Sequence, residues 1–471
     1  MENNTLLCDF YELTMANGYF VCGKKDEVAY FDLFYRRNPD KGGFAIAAGL
    51  EQVIEYIKNL HFTPENIDFL RKKGQFSEDF LQYLADFRFT GDIWAVPEGT
   101  PVFPNEPLLT VRAPAIEAQF IETYLLLAVN HQTLIATKAN RIARAAKGRA
   151  VMEFGTRRAQ GASAAVMGAR AAYIGGVRKT ACTLADERFG VPAVGTMAHS
   201  WIQMFESEYE AFLTYCKIYP NNATLLVDTY NTLESGVPNA IRAFRETGLT
   251  DCAIRIDSGD LAYLSRRARK MLDDAGLTGC RIVVSNSLDE YLIGKLIEQG
   301  ACIDAFGVGE RLITAKSDPV FGGVYKLVAV EQADGAIVPK IKISDNPEKV
   351  TNPHVKRVWR LYEQGKAVAD LLTLYDEPMC TDRPLEIFDP EHTWKRRTLT
   401  DFEAQELLVP IFQKGQLVYR LPSLPEIAAY CDEQVALQWD EVKRFDNPHN
   451  YYVDLSQKLW DLKHDLLKEK P

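Results

Sequence analysis

No run of apolar residues in the chain is long enough to cross a bilayer, and the opening MENNTLLCDF has neither the basic start nor the apolar core of a secretory leader. The expectation is therefore a soluble, cytoplasmic protein. The nine cysteines stand singly, with no paired spacing, which argues against a zinc site or a disulfide framework. Basic residues are outnumbered, 54 to 64, for a formal charge of −10. That balance disfavours a broad nucleic-acid footprint or an anionic membrane surface as partner, so any anion site must be local. Internal repeats and low-complexity linkers are also missing.

What remains is ordinary for a folded enzyme: 471 residues, 47% hydrophobic and 25% charged. This exceeds one hydrophobic core, so two or three domains are expected. Residues 1–115 mix short helices with the strand-like VAYFDLFYRR and the Pro- and Gly-punctuated GDIWAVPEGTPVFPNEPLLTVRAP, the texture of a small α+β domain. From about Ile116 a long helical segment leads into strand–helix units: VMEF, ATLLVDTY, CAIRIDSGD, CRIVVSNS and IDAFGVGE alternate with amphipathic helices. Each strand ends in polar residues, and in an α/β barrel such ends converge on one rim. The reading is an irregular α/β barrel over 116–330, followed by an extended, basic and finally helical region over 331–471 that packs partly on the N-terminal domain.

Four segments carry candidate chemistry. In AVGTMAHSW, His199 follows a small, flexible stretch at what reads as a strand end, where it can face a phosphate or act as a nucleophile. A single histidine in an apolar run is more often structural. Asp228, ending the next strand, shifts that balance because a carboxylate there can hold one imidazole nitrogen and leave the other free. IRIDSGDL places Arg255, Asp257 and Asp260 directly after a strand, suited to phosphate, ribose hydroxyls or Mg²⁺; the bland alternative is that Asp257 or Ser258 merely caps the next helix. FGVGERL offers Gly307 and Gly309 as backbone phosphate ligands, although the lysine of a Walker loop and the third glycine of a dinucleotide fingerprint are both missing. EFGTRRA puts Phe154 beside Arg157 and Arg158, which suits a flat, anionic heteroaromatic ligand as well as it suits a core ring beside solvated arginines.

The ordered series DFYELTMANGYF, EFGTRRAQ, GTMAHSW, VDTYNT, IRIDSGDL, SNSLDE, FGVGERL and KISDNPEKVTNP resembles the nicotinate phosphoribosyltransferase family over residues 9 to about 360. The resemblance implies a small N-terminal domain, an irregular α/β barrel and a C-terminal part. It also implies transfer of a phosphoribosyl group from phosphoribosyl pyrophosphate to nicotinate in NAD salvage, with ATP hydrolysis coupled through a phosphohistidine. Carried over residue by residue, His199 is the phosphorylated histidine and Asp228 its partner. Tyr11, contributed by a neighbouring subunit, and Phe154 sandwich the pyridine. Arg157 lies near its carboxylate, and Arg255 and Asp257 near the ribose phosphate and the ring. Thr196, Asn286, Gly307 and Gly309 complete the substrate set. Lys349 and Lys356 form a basic edge facing pyrophosphate or nucleotide across a homodimer interface. Mg²⁺ and ATP are the implied cofactor and co-substrate; no metal ligands are assigned.

Relatives acting on nicotinamide carry an aspartate where this chain has Ala181 or Cys182, and lacking an acid there suits an anionic pyridine. The alternatives are a nicotinamide phosphoribosyltransferase and a non-catalytic phosphometabolite-binding protein. A Schiff-base barrel is disfavoured because no strand end carries a lysine.

Overall fold

The computed structural model describes residues 3–469 and divides into two compact units, residues 1–134 with 320–471, and residues 135–319. The expected boundaries at 115 and 330 therefore differ from those observed. The N- and C-terminal segments also form one unit where two were expected. The reason lies in one seven-stranded sheet. Val28–Phe34 sits between Val324–Glu331 and Leu109–Pro114, and Val409–Gln413 adds antiparallel to Asp92–Ala95. Strands from opposite ends of the chain thus share one hydrogen-bonded ladder and one core, in which Phe31 stacks on Tyr325 at 4.7 Å.

The tail from about Phe402 is less helical than its sequence suggests, since Glu403–Glu406 and Val409–Gln413 are strands. Lys356–Glu363 and Lys366–Leu374 form an antiparallel hairpin whose turn, Gln364-Gly365, has positive φ at both residues. That is the primed-turn geometry matching the strands' twist. The helices Leu424–Ala436 and Gln457–Glu469 close the unit, the first with a complete Ser423/Glu426 capping box.

The second unit holds six parallel strands: β1 (Ala150–Glu153), β2 (Lys179–Thr180), β3 (Ala223–Leu226), β4 (Cys252–Ile256), β5 (Arg281–Asn286) and β6 (Ala305–Val308). Their order is β2-β1-β6-β5-β4-β3. Apart from β2, these are short, mostly buried and largely apolar runs, as strands covered on both faces must be. The ladder is an open half-barrel, because among the described residues β2 and β3 do not pair. The stretch expected to fill that place as a strand, AVGTMAHSW, makes a single bridge, Thr180 to Ala193, and then runs irregularly to His199, which begins the short helix His199–Gln203. Glycine, threonine and alanine leave this segment too little side chain to hold a strand position.

Candidate functional site

The strand ends of the second unit bring six of the expected residues together: Phe154, Thr196, His199, Asp228, Arg255 and Asp257. Arg255, near the end of β4, is the hub. Its Nη1 donates to Thr196 Oγ1 (3.1 Å) and to the Met197 carbonyl (3.4 Å), its Nη2 to Asp257 Oδ1 (3.1 Å), and its Nε to Ser285 Oγ (2.8 Å). The Ser285 hydroxyl donates in turn to Asp257 Oδ1. A guanidinium, a hydroxyl and a carboxylate therefore form a closed triangle at the ends of two adjacent strands. Every donor that Arg255 spends on it fixes the angle of the fork.

His199 sits against this triangle. Its Nε2 lies 4.0 Å from Asp257 Oδ2 and its Nδ1 lies 3.1 Å from Thr229 Oγ1, with the side chain 42% exposed. The expected Asp228–His199 contact is not formed. Asp228 Oδ2 accepts from the Asp257 backbone N–H (3.0 Å) and the Ser258 hydroxyl (2.6 Å), so that carboxylate braces the turn after β4. Its neighbour Thr229 meets the histidine instead. Asp228 Oδ1 is buried without a hydrogen-bond partner. The helix that follows is capped by Asp260, which accepts from the Tyr263 N–H; Asp257 and Ser258 are not its caps and remain available to the site.

Phe154 lies at the edge of the same cluster, its ring centroid 5.6 Å from the Arg255 guanidinium carbon, a cation–π distance. Gly307 makes room for it: a Cβ there would stand 2.5 Å from the ring. Gly307 is buried inside β6 between β5 and β1, so it serves as the floor beneath an aromatic ring, and the expected role as a phosphate cradle is not what this geometry provides. Gly309 stands at the end of β6, close to the Phe154 carbonyl. The turn that aims Phe154 is held by Glu153, a buried carboxylate accepting from Thr180 Oγ1 (2.6 Å) and from the Gly155 N–H. Burial pushes its pKa up, and these two hydrogen bonds oppose the shift.

Arg157 is exposed on the 3₁₀ turn Thr156–Arg158 and has no hydrogen-bond or ion-pair partner among the described residues, so its guanidinium is free to meet an anion. Asn286 ends β5 at φ 133°, a strained conformation for a residue with a Cβ, and its side chain accepts from the Ser287 N–H (2.7 Å). Ala181 is exposed, whereas the Cys182 thiol is buried among Val166, Ala169 and Ala185, so no acid stands at that place.

Three expected residues belong to the other unit. Tyr11 is 43% exposed; burial and the Glu122 carboxylate beside it raise its phenol pKa. Lys349 is exposed on the 3₁₀ turn Pro347–Lys349. Lys356 is not on an exposed basic edge. It is buried, its ammonium 2.8 Å from Asp32 and donating also to the carbonyls of Asn352, Pro353 and His354, and burial lowers its pKa. Its sequence neighbourhood is polar, but its position at the start of the hairpin turns it inward.

Ser285 and Thr229 escaped the sequence reading. Each adjoins a residue that was singled out, Asn286 and Asp228, but nothing in composition or spacing distinguishes a hydroxyl that bridges two charges from one that faces water.

The family model described as the nicotinate phosphoribosyltransferase (NAPRTase) family matches residues 149–378, and the models for that enzyme's N-terminal and C-terminal domains match residues 6–130 and 355–463. The nicotinate phosphoribosyltransferase of Bacillus subtilis (strain 168) is 46% identical over 472 residues, covering 99% of this chain and 96% of its own. The Homo sapiens nicotinate phosphoribosyltransferase is 31% identical over 523 residues, covering 98% of this chain and 96% of its own. The crystal structure of human nicotinic acid phosphoribosyltransferase superposes with a TM-score of 0.85 at 29% identity, covering 98% of this chain and 100% of that one. With 99% of its length matched by a relative 46% identical to it, the chain belongs to the nicotinate phosphoribosyltransferase family.

Proposed function

We infer that this protein joins nicotinate to phosphoribosyl pyrophosphate, giving nicotinate mononucleotide and pyrophosphate, and that it couples this to ATP hydrolysis through a phosphorylated His199. The observation that carries the reading is the closed Arg255–Ser285–Asp257 triangle with His199 against it. It presents a fixed cation and a carboxylate to one small volume, together with a half-exposed imidazole. In the transfer step the pyridine nitrogen bonds to the ribose C1 as the C1–oxygen bond breaks, and pyrophosphate departs with the electron pair. Arg255 faces the phosphates, and Asp257 stabilises positive charge growing on the sugar. Phe154 supports the pyridine ring, and the unpaired Arg157 takes the carboxylate. The exposed Ala181 brings no negative charge to the ring, which favours nicotinate over nicotinamide.

In the coupling step an imidazole nitrogen of His199 attacks the terminal phosphoryl group of ATP and ADP leaves; water later cleaves the P–N bond. The other ring nitrogen must hold a proton, and Thr229 and Asp257 are the neighbours that can receive or orient it.

Mg²⁺ fits this donor set in one way. The unpartnered Asp228 Oδ1 is a buried oxygen in need of a positive neighbour, and Asp257 stands beside it in the chain fold. Among the described residues no three metal-ligating side chains converge. Two carboxylates are what Mg²⁺ takes when it shares its remaining positions with substrate phosphates and water. Bound there, it would supply neutralisation of pyrophosphate charge.

A homodimer with Tyr11 completing the neighbour's site accords with the exposed apolar residues Leu7, Phe10, Tyr11 and Met15 at the first helix. No helix is long and apolar enough to cross a membrane among the described residues, and a cytoplasmic location follows the chemistry of the substrates. The decisive experiment follows nicotinate mononucleotide formation with and without ATP in the wild type and in His199→Ala. The expected result is loss of both ATP hydrolysis and ATP stimulation in the variant. If both are unchanged, the phosphohistidine reading is wrong.

A further inference from the structure

The first unit contains a cavity of about 370 Å³ whose lining includes none of the residues assigned above to the transfer step. It is lined by the end of the strand Val28–Phe34, the loop around Pro104–Pro107, the segment Pro347–Asn352 and the helix Gln457–Glu469, all within that unit, and it opens to solvent. Its size falls in the range of small-ligand sites.

The two lysines lining it differ in what they lack. Lys356 is saturated by Asp32 and three carbonyls, so it is a structural floor with no free donor. Lys463 is half-buried and donates only to the neutral Asn352 side chain, at 2.8 Å. Among the described residues no carboxylate lies within ion-pair distance of it. Burial lowers its pKa; the Glu391 carboxylate opposes that shift, and the charge of Lys356 adds to it. An ammonium has three donors, so Lys463 stands at the wall of a cavity with donors and charge uncommitted. Beside it His464 lies stacked on Trp460, ring centroids 3.6 Å apart. The contact of His464 Nδ1 with the Trp460 carbonyl at 2.8 Å makes Nδ1 the proton-bearing nitrogen. Nε2 is left as a second polar group lining the cavity. Phe34, Pro107, Val350 and Leu467 supply apolar walls.

We propose that this cavity is a second ligand site, taking a small organic monocarboxylate with an apolar body, its carboxylate on Lys463 and its body between the apolar walls. The charge pattern selects the class. The carboxylates of Glu348 and Glu391 are exposed at the lining's edge, and they repel a ligand carrying several negative charges. One uncommitted cation can balance one anionic charge. A polyphosphate therefore suits this cavity poorly, whereas a single carboxylate supplies the acceptor that Lys463 lacks.

The test uses calorimetric titration of the full-length protein with benzoate, in the presence of saturating nicotinate mononucleotide, whose several negative charges exclude it from this cavity, to occupy the transfer site, and a parallel titration with inorganic pyrophosphate. Wild type is expected to bind benzoate. Lys463→Met, which removes the charge, and Leu467→Trp, which fills the cavity, are each expected to weaken that binding at least tenfold, with kcat/KM for nicotinate within twofold of wild type. Thermal unfolding of both variants confirms that they fold, and two positions are used so that failure of one to fold still leaves a reading. Equal benzoate binding in wild type and variants overturns the proposal, as does no binding to wild type. Lysine-dependent binding of pyrophosphate in place of benzoate would also overturn it, by assigning the cavity to a different class of anion.

Discussion

Replacing Ser285 by alanine removes one oxygen that serves two charged groups at once. In the structure its hydroxyl accepts from Arg255 Nε at 2.8 Å and donates to Asp257 Oδ1. The Arg255 side chain is only 14% exposed, so water cannot fully replace the lost acceptor. A hydrogen bond to a charged group contributes about 1.5–3 kcal/mol. Arg255 keeps Thr196, Met197 and Asp257 as partners, so the fork tilts and does not collapse. The expected loss is therefore about 1.4–2.7 kcal/mol of transition-state stabilisation, roughly 10- to 100-fold in kcat/KM. Steady-state formation of nicotinate mononucleotide measures it, with phosphoribosyl pyrophosphate varied. Ser285→Thr retains the hydroxyl and should recover most of the rate, which a merely structural role for this position would not require. If Ser285→Ala stays within twofold of wild type, or if threonine does no better than alanine, the hydroxyl does not position the pair and the triangle is an incidental packing arrangement.

Gly307→Ala places a methyl 2.5 Å from the Phe154 ring, and overpacking of this kind costs about 1–3 kcal/mol; the KM for nicotinate should rise several-fold, readable in initial-rate assays. Lys356→Met leaves Asp32 buried and unpaired and should destabilise by about 3–5 kcal/mol in chemical unfolding, whereas Lys349→Ala, at an exposed residue, should leave stability unchanged. Glu12 has its carboxyl pKa pushed up to about 7, chiefly by burial, above the roughly 4.3 of an unfolded chain. The folded state therefore binds the extra proton between those values, and this contribution is lost as pH rises through about 7. Thermal melts should show Glu12→Gln gaining on the wild type between pH 5 and pH 8; a constant difference between the two would refute the assignment.

The parts of the fold that were legible in the sequence were those with a local period. Short apolar strands alternating with amphipathic helices marked the parallel sheet, and polar residues at strand ends marked its rim. Val409–Gln413 was read as part of a helical tail because its partner, Asp92–Ala95, lies near the other end of the chain, and no local pattern records such a pairing. His199 was found, but as the end of a strand; the segment before it is irregular because its small residues contribute little to hold a ladder. At the site, charged residues announced themselves and hydroxyls did not. Asp228 was assigned to the histidine by its place in the chain, yet the turn after β4 offered it two donors and captured it, leaving the imidazole to Thr229. Lys356 shows the reverse limit, since a basic run says nothing about which lysine points inward.

The seven-stranded sheet also sets an order of events during synthesis. Val28–Phe34 and Asp92–Ala95 leave the ribosome long before Val324–Glu331 and Val409–Gln413, the strands that must lie against them. All of residues 135–319 emerges in between, and it is a compact unit bounded at both ends by the chain of the other. The nascent N-terminal segment thus waits with open sheet edges while the inserted half-barrel is made, which exposes it to wrong pairing for longer than any other part of the molecule. A ribosome that stalls between the two units would leave a foldable half-barrel tethered to an unfinished sheet.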